Sequence, residues 1–374
     1  MFGKAILILS IIYLICFALI GLISFFTDTR LSNKKMRLIF IAFSFSMAIV
    51  AFYSTDGNTG TSGWDLNRYY ARIDSMRSLN LSGAWDLDIY SQTPVAFMLF
   101  FFVSRLDCNY WLQFISTLVS LLCISYIICD LQKRKNYKYS TIFLSLMLLF
   151  SIFSFATVML GVRNGMAVCI FALGSYIDSK NNNYFSIKST VLFLIAVLVH
   201  EEILVFLIIK VISMFKFRKI NYLLLLWTVV IPLIGYFNFN IEILQVAYDK
   251  LLTYQAIKYE DIRVFIVEIS VNLILMYILF FNNNSGSKNL LTDGVINKGL
   301  VFKKNLSLVV LGSMSIYHLF TRATASILLF SIEDILDVIE KKQKILIGLL
   351  FFIACGMLLY QAKFIATCWL LRPF

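Results

Sequence analysis

Long apolar runs separated by short polar segments make up most of the chain. Each run stays apolar over many consecutive residues, without the strict alternation of a half-buried strand, and this pattern predicts α-helices. Most charged residues fall in the short segments between the runs. The runs lie at about 5–26, 38–54, 94–104, 110–129, 141–160, 164–177, 189–200, 203–215, 222–238, 264–281, 305–320, 323–332 and 344–362.

The composition indicates that these helices belong to a membrane protein. Hydrophobic residues make up 60% of the 374 positions, charged residues only 14%, and the mean hydropathy is +0.83. Because a soluble domain carries about 25% charged residues, ordinary soluble enzymes and disordered proteins are excluded. We predict an all-α polytopic integral membrane protein, with one membrane domain over residues 1–374 and about 11 to 13 transmembrane or half-membrane helices. The run 5–26 is interpreted as the first span, because it is longer than the apolar region of a signal peptide.

Several runs are too short to cross a bilayer, which takes about 20 apolar residues in a helix. Short or broken helices are stable at membrane depth only where they line a cavity or are covered by protein. Their clustering therefore predicts a buried polar site. These short runs are 94–104, 164–177, 189–200, 203–215 and 323–332.

The lysines and arginines indicate which side of the membrane each polar segment faces. The formal net charge is +12, and most basic residues lie in short segments that the positive-inside rule places in the cytoplasm. The positive charge thus reflects topology, and no nucleic-acid partner is expected. The loops 55–93 and 239–262 then face outward. The run 94–104 is predicted to be re-entrant or interfacial, because a full span there would move the basic segment 130–139 to the outside.

Two arginines lie at membrane depth on the predicted outer side. Arg163 is in the segment GVRNG (161–165), and Arg322 follows His318 in YHLFTR (317–322), each at a turn between two apolar runs. An ionisable residue in the membrane is costly and marks a functional site by default, and a guanidinium group binds phosphate oxygens bidentately. We predict that Arg163 and Arg322 bind the pyrophosphate of a lipid-linked substrate. The alternative is that each arginine extends to the lipid headgroups, and His318 is interpreted as structural.

A histidine followed by two carboxylates separates two of the short apolar runs. His200, Glu201 and Glu202 form this break, and an imidazole is an effective general base near neutral pH. We predict His200 as the catalytic base, Glu201 as an alternative base, and one of the two glutamates as the group that orients the imidazole. The alternative is an ordinary polar residue at a helix end. Glu268 is the lone acidic residue of the run 264–281, and the sequence assigns it no partner.

The outer loop 55–93 combines carboxylates with aromatic side chains. Residues 65–79 are predicted to form a helix, with Asp65 near its start as a further candidate for the base. Carboxylates accept hydrogen bonds from sugar hydroxyls and aromatic faces pack on sugar rings, so this loop is predicted to face the glycan. The alternative is a solvated loop whose aromatic residues lie in the interfacial belt. The predicted glycan contacts are Trp64, Arg68, Tyr69 and Tyr70.

Motifs for several other chemistries are absent from the sequence. There is no GxxxxGK[ST] phosphate-binding loop, no HExxH metal motif and no GxSxG nucleophile motif. The seven cysteines show no CxxC or Cys/His spacing. We therefore expect no cofactor and no metal site, and the sequence disfavours an energy-coupled pump or a transferase with a cytosolic nucleotide-sugar donor.

Five segments follow one another in a distinctive order. They are an acidic-aromatic outer loop, an arginine turn that opens a helix, a polar-aromatic hairpin, a helix that ends in histidine and a late helix headed by arginine. The segments are GWDLNRYYARI (63–73), GVRNGMAVCIFALGSYI (161–177), DSKNNNYFSIKS (178–189), VLFLIAVLVHEEILVF (191–206) and TRATASILLF (321–330). In order and spacing, over most of residues 50–340, the chain resembles the EpsG-like and Wzy-type polysaccharide polymerases of bacterial surface glycans.

The resemblance implies a multi-pass protein of the bacterial inner membrane, with a GT-C-like fold and an active site that faces the periplasm. It implies a metal-independent glycosyltransferase that polymerises O-antigen or a related surface polysaccharide. The growing glycan would pass from undecaprenyl pyrophosphate to the next lipid-linked repeat unit, and a protein that regulates chain length is a possible partner beside the lipid bilayer.

Rival functions stay open at this stage. One is an O-antigen ligase-type transferase, which differs only in its acceptor. Another is a flippase or transporter for the lipid-linked glycan, which needs charges along a path through both leaflets. The embedded charges of this chain concentrate near one side, which favours an enzyme. An acyltransferase that modifies surface glycans is a more distant alternative.

Overall fold

The described part of the chain is almost entirely helical, which confirms the all-α class. The predicted runs 5–26 and 222–238 lie outside the described residues. So do residues 239–261 of the second outer loop. The computed structural model describes residues 33–56, 66–87, 93–153, 158, 161–215, 262–281, 297–315, 317–341, 348–350, 352–358 and 369–371.

The helices form two compact units, and the single membrane domain over residues 1–374 stays a prediction. Unit 1 consists of residues 1–177, 185–204 and 354–374, and unit 2 consists of residues 178–184 and 205–353. Each unit is built from segments that are distant in the sequence.

The elements of unit 1 follow the order of the predicted runs. They are α1 (Asn33–Tyr53), β1 (Ser54–Asp56), α2 (Leu66–Met76), α3 (Leu81–Leu87), α4 (Pro94–Ser104), α5 (Trp111–Lys135), α6 (Tyr139–Ile152), most of α7 (Val162–Lys180), α8 (Ile187–Val199), the start of α9 (Ile203–Ile212) and β2 (Trp369–Leu371). The two strands are three-residue segments that pair antiparallel, with Ser54 opposite Leu371.

Two described helices, α1 and α5, are long and apolar enough to cross a membrane. They pack against each other, and Ser44 Oγ of α1 lies 3.1 Å from Ser125 Oγ of α5. Ala48 and Ala51 of α1 are also fully buried. Small residues are typical of contacts between membrane helices, because they let the backbones approach closely. Large apolar side chains on α1 are exposed, for example Leu38 at 69%, as expected for a surface that faces lipid.

The described part of the outer loop 55–93 is helical. The helix predicted over 65–79 is observed as α2, whose apolar residues recur every three or four positions and are buried together in one core. α2 packs on α4. Because α4 has 11 residues, it rises about 16 Å, roughly half of a bilayer core of about 30 Å. α4 is therefore too short to span the bilayer, and the re-entrant or interfacial placement of 94–104 stays a prediction.

Unit 2 contains the later helices. Its complete elements are α10 (Ile262–Phe280), α11 (Lys298–Gly312), a 3₁₀ turn (Ser313–Ser315), α12 (Tyr317–Phe330) and α13 (Ile332–Glu340). The 3₁₀ turn ends α11 well before the end of the predicted run 305–320. Arg322 therefore lies in the second turn of α12, and not at a turn between two helices as the sequence predicted.

Two buried ion pairs join helices of unit 2. Lys210 Nζ lies 3.1 Å from Asp178 Oδ2, and Lys303 Nζ lies 2.5 Å from Asp334 Oδ2. The positive-inside rule assigns basic residues such as these two lysines to cytoplasmic loops, whereas they lie on α9 and α11 and are buried. A lysine inside the fold needs such a partner, because an unpaired buried charge is strongly destabilising.

Candidate functional site

Arg163 lies in the first turn of α7, and its side chain is almost completely buried (5% exposed). Its Nη2 donates to Glu201 Oε2 at 2.8 Å and to Thr93 Oγ1 at 3.2 Å. Its Nε donates to the carbonyl oxygen of Val199 at 3.1 Å. This guanidinium group therefore joins three segments, which are the start of α4, the start of α7 and the end of α8. The sequence predicted Arg163 and Glu201 as site residues, and the structure joins them in an ion pair.

The end of α8 gives this guanidinium a favourable electrostatic environment. The last carbonyl groups of a helix have no partner within the helix and carry the negative end of its dipole. Val199 is the last residue of α8, and its carbonyl accepts from Arg163. By contrast, the dipole of α7 disfavours a cation in its own first turn. The position of Arg163 thus depends on its contacts with other segments rather than on local helix preference.

Glu201 covers the buried arginine from the solvent side. Its side chain is 49% exposed, compared with 5% for Arg163. A carboxylate oxygen and a phosphate oxygen make the same kind of charge-assisted hydrogen bond to a guanidinium group. Glu201 therefore occupies a position on Arg163 that a phosphate oxygen of a substrate could take.

His200 caps the end of α8, and its side chain is buried. Its Nδ1 accepts a hydrogen bond from the backbone N–H of Glu202 at 3.2 Å. A ring nitrogen that accepts carries a lone pair, so the neutral imidazole has its proton on Nε2. His200 consequently presents a donor at Nε2. The sequence predicted that a glutamate carboxylate orients this ring, and the structure shows the backbone of Glu202 in that role at Nδ1.

Thr93 is a site residue that the sequence analysis missed. It is the N-cap of α4 and directly precedes Pro94, but its side chain makes no capping hydrogen bond. A threonine at this position normally accepts from the N–H groups of its own helix. Here its hydroxyl accepts from Arg163. A Thr-Pro pair before an apolar run is a recognisable helix start, but it does not reveal a partner 70 positions away in the sequence.

Arg322 lies in unit 2 and is partly buried on α12. The preceding residue, Thr321, donates from Oγ1 to Glu268 Oε2 at 3.0 Å. One turn further along, Asn272 Nδ2 donates to Thr324 Oγ1 at 2.7 Å. Glu268, for which the sequence gave no partner, is thus hydrogen-bonded to the residue next to the predicted pyrophosphate ligand.

The predicted glycan contacts on α2 lie in different environments. Tyr69 is buried, and its ring packs against Phe100. Tyr70 Oη donates to Gln113 Oε1 at 2.5 Å, whereas Arg68 is exposed. A buried ring has no face open to a sugar, so the structure places Tyr69 in the core that supports the loop and not on the predicted glycan surface.

Three predicted positions have no described side chain. Trp64 and Asp65 precede α2 and lie outside the described residues, and the side chain of His318 does too, so their roles stay predictions. Within the described ranges, no group of three or more His, Cys, Asp or Glu side chains is placed to hold a metal ion.

A comparison with protein families decides the relationship of this chain to known proteins. The model of the EpsG family matches residues 36–370, nearly the whole chain. The chain belongs to the EpsG family. No curated protein and no solved structure matches it significantly.

EpsG family membership makes the chain a polysaccharide polymerase-like membrane protein, related to glycosyltransferases. The match over residues 36–370 confirms the resemblance seen in the sequence. A glycosyl transfer needs positive charge near a departing anion and a group that takes the proton of the attacking hydroxyl. In this EpsG family protein, the described residues of unit 1 include such a buried cation, Arg163.

Proposed function

We propose that this EpsG family protein polymerises lipid-linked oligosaccharide repeats at the outer face of the bacterial inner membrane. The growing chain of O-antigen or a related surface polysaccharide is transferred from undecaprenyl pyrophosphate to the sugar of the next lipid-linked repeat. The observation that carries the proposal is the pairing of a buried Arg163 with a half-exposed Glu201, in a member of a polysaccharide polymerase family.

The role of Arg163 is to stabilise the departing pyrophosphate. Preorganised positive charge is the largest single contribution to many reactions of this kind. A phosphate oxygen replaces the carboxylate of Glu201 on the guanidinium, so the buried cation exchanges one anion for another and is never left unpaired. Arg322 is the second pyrophosphate ligand of the proposal. These guanidinium groups act in place of a metal ion, and activity in excess EDTA tests that part of the proposal.

His200 donates its Nε2–H to an oxygen of the pyrophosphate. The hydrogen bond from the backbone N–H of Glu202 to Nδ1 supports this role over that of a base, since it leaves the ring proton on Nε2. Glu201 is disfavoured as the base because one of its oxygens is already bonded to Arg163. Asp65 is the other candidate that the sequence predicted for the base.

The test begins with a strain that lacks the gene and accumulates the native lipid-linked repeat. The full-length protein, purified into nanodiscs, is given this extracted repeat, and the products are separated by gel electrophoresis. A ladder with one repeat per step is expected. A wild-type protein that binds the repeat but produces no ladder would contradict the proposal.

The same strain separates a polymerase from a ligase. Loss of a polymerase leaves single repeats attached to the lipid core. Loss of a ligase leaves the core without glycan, while long lipid-linked chains accumulate. The second result would reassign the protein to the ligase-type reaction.

A further inference from the structure

Glu268 is a buried carboxylate without a cation in its described surroundings. It lies on α10, and only 2% of its surface is exposed. Among the residues that the structure describes, its carboxylate accepts one hydrogen bond, from the hydroxyl of Thr321, and makes no ion pair. A carboxylate has about four acceptor positions, so most of its hydrogen-bonding capacity is unused.

Such a group is expensive to keep inside a membrane protein. An ionised carboxylate that is removed from water without a charged partner strongly destabilises the folded protein. Acidic residues within membrane segments are rare, face the protein interior and mark functional positions by default. A purely structural role is served equally well by a glutamine, which bonds Thr321 without the charge.

The neighbouring helix holds Glu268 in a fixed position. Two hydrogen bonds join α10 and α12, one from Thr321 to Glu268 and one from Asn272 to Thr324. Asn272 also donates to the backbone carbonyl oxygen of Glu268. Asn272 lies one turn after Glu268 on α10. Its Oδ1 is a second buried acceptor and accepts no hydrogen bond from the described residues.

The predicted topology places this carboxylate in the outer half of the membrane. α10 begins at Ile262, directly after the loop 239–262 that the charge pattern places outside. Glu268 is six residues further along, a rise of about 9 Å. The next residue after its hydrogen-bond partner Thr321 is Arg322, the second arginine of the proposed reaction.

We propose that Glu268 is the general base that takes the proton of the acceptor hydroxyl, an inference that rests on the proposed function. The hydroxyl oxygen forms a bond to the anomeric carbon of the donor sugar, and its proton passes to the carboxylate of Glu268. The bond from that carbon to the pyrophosphate oxygen breaks, and its electron pair stays on the departing lipid pyrophosphate. Thr321 orients the carboxylate through its hydroxyl.

The decisive variant is Glu268→Gln, which keeps the size of the side chain and an acceptor for Thr321 but cannot take a proton. It is assayed as the full-length protein in nanodiscs with the extracted lipid-linked repeat. We expect a loss in kcat of about 10²–10⁴-fold, unchanged binding of the repeat and a normal yield of folded protein. Glu268→Asp, which retains a carboxylate, is expected to recover part of the rate.

The matched control is Ser270→Ala, two residues further along the same helix, where the hydroxyl donates to the Ile266 carbonyl of α10. Its rate should equal that of the wild type. Wild-type kcat in Glu268→Gln overturns the inference, and so does a loss that only follows the amount of folded protein. Failure of the proposed function looks different, because the wild-type protein itself then forms no polymer.

Discussion

Glu201 and Glu202 are consecutive residues, and each bonds to a different predicted site residue. Glu201 binds the guanidinium of Arg163 through its carboxylate, at 2.8 Å between Nη2 and Oε2. Glu202 holds the imidazole of His200 through its backbone N–H, at 3.2 Å from Nδ1. The break between α8 and α9 therefore fixes the cation and the ring at once, and the charge of Glu201 can be changed without altering the contact made by the backbone of Glu202.

Glu201→Gln should distinguish two roles of Glu201, as the anion that a substrate phosphate replaces on Arg163 or as the catalytic base. Removal of the carboxylate eliminates the anion that competes with the substrate, and a charge-assisted hydrogen bond contributes about 1.5–3 kcal/mol. We expect the KM for the lipid-linked donor to fall by about tenfold, with kcat nearly retained. The protein without substrate should melt at a lower temperature, because Arg163 loses its partner. A kcat that collapses while KM is unchanged would instead identify Glu201 as the base.

Alanine at Arg163 or at Arg322 should nearly abolish polymerisation. Loss of a charged contact to a buried phosphate costs about 2–5 kcal/mol, which is about 30-fold or more in rate. Lysine at either position should restore only part of the rate, since an ammonium group lacks the planar fork. The measurement is the rate of ladder formation per folded molecule.

A suitable control for both arginines is Arg37→Ala, an exposed arginine near the start of α1 on the predicted cytoplasmic side. It should polymerise like the wild type. Glycan of normal length from Arg163→Ala or Arg322→Ala would remove that residue from the pyrophosphate site.

Two substitutions at His200 distinguish a hydrogen-bond donor from a base. Glutamine places an amide N–H near the position of Nε2 but cannot take a proton at neutral pH. If His200 donates to the pyrophosphate, His200→Gln should retain much more activity than His200→Ala. Equal losses of about 10²–10⁴-fold in both variants, together with a changed pH profile of kcat, would return His200 to the role of base.

The sequence was sufficient for the fold class and for the family, whereas the charged site residues stay predictions and their contacts needed the structure. Arg163 and Glu201 are 38 positions apart, and no local pattern encodes that two helix ends meet there. Thr93 was missed for the same reason. Hydropathy also misplaced the start of α12, because the 3₁₀ turn at Ser313–Ser315 lies inside the run 305–320, whose scattered polar residues did not indicate a break.

Lys210 and Lys303 show a second limit of sequence-based prediction. The positive-inside rule describes the average excess of charge in loops, and it does not separate a lysine in water from one that pairs inside the fold. Both are buried on helices and bonded to aspartates. The positive-inside rule concerns only the side of the membrane on which a lysine lies. The burial of these two lysines could be seen only in the structure.

The predicted topology can be tested by labelling single cysteines in intact cells, on a cysteine-free background. Ser78→Cys, exposed between α2 and α3, should react with a membrane-impermeant maleimide. Ser287→Cys, in the predicted cytoplasmic segment 282–303, should not. The cysteine-free background matters at the partly exposed Cys108, although burial raises the pKa of its thiol and thereby slows its reaction. The reverse labelling pattern would invalidate both the topology and the proposed side of the active site.

Asp178→Asn should destabilise unit 2 without affecting the reaction. Asp178 and Lys210 are buried and lie 3.1 Å apart, and removal of one partner of such a pair costs about 3–5 kcal/mol. We expect a lower melting temperature of the purified protein and an unchanged rate per folded molecule. The double variant Asp178→Asn/Lys210→Met should recover part of the stability. A wild-type melting temperature in Asp178→Asn would show that the pair contributes little.

The pairing of β1 with β2 has a consequence for biogenesis. Ser54 follows the first described helix, whereas its partner Leu371 is synthesised only after residues 205–353 of unit 2. Contacts between residues so distant in the sequence form late, because the intervening chain must be ordered first. Unit 1 includes residues 354–374, so it is completed only after the helices of unit 2 have been synthesised, and until then β1 is an unpaired edge.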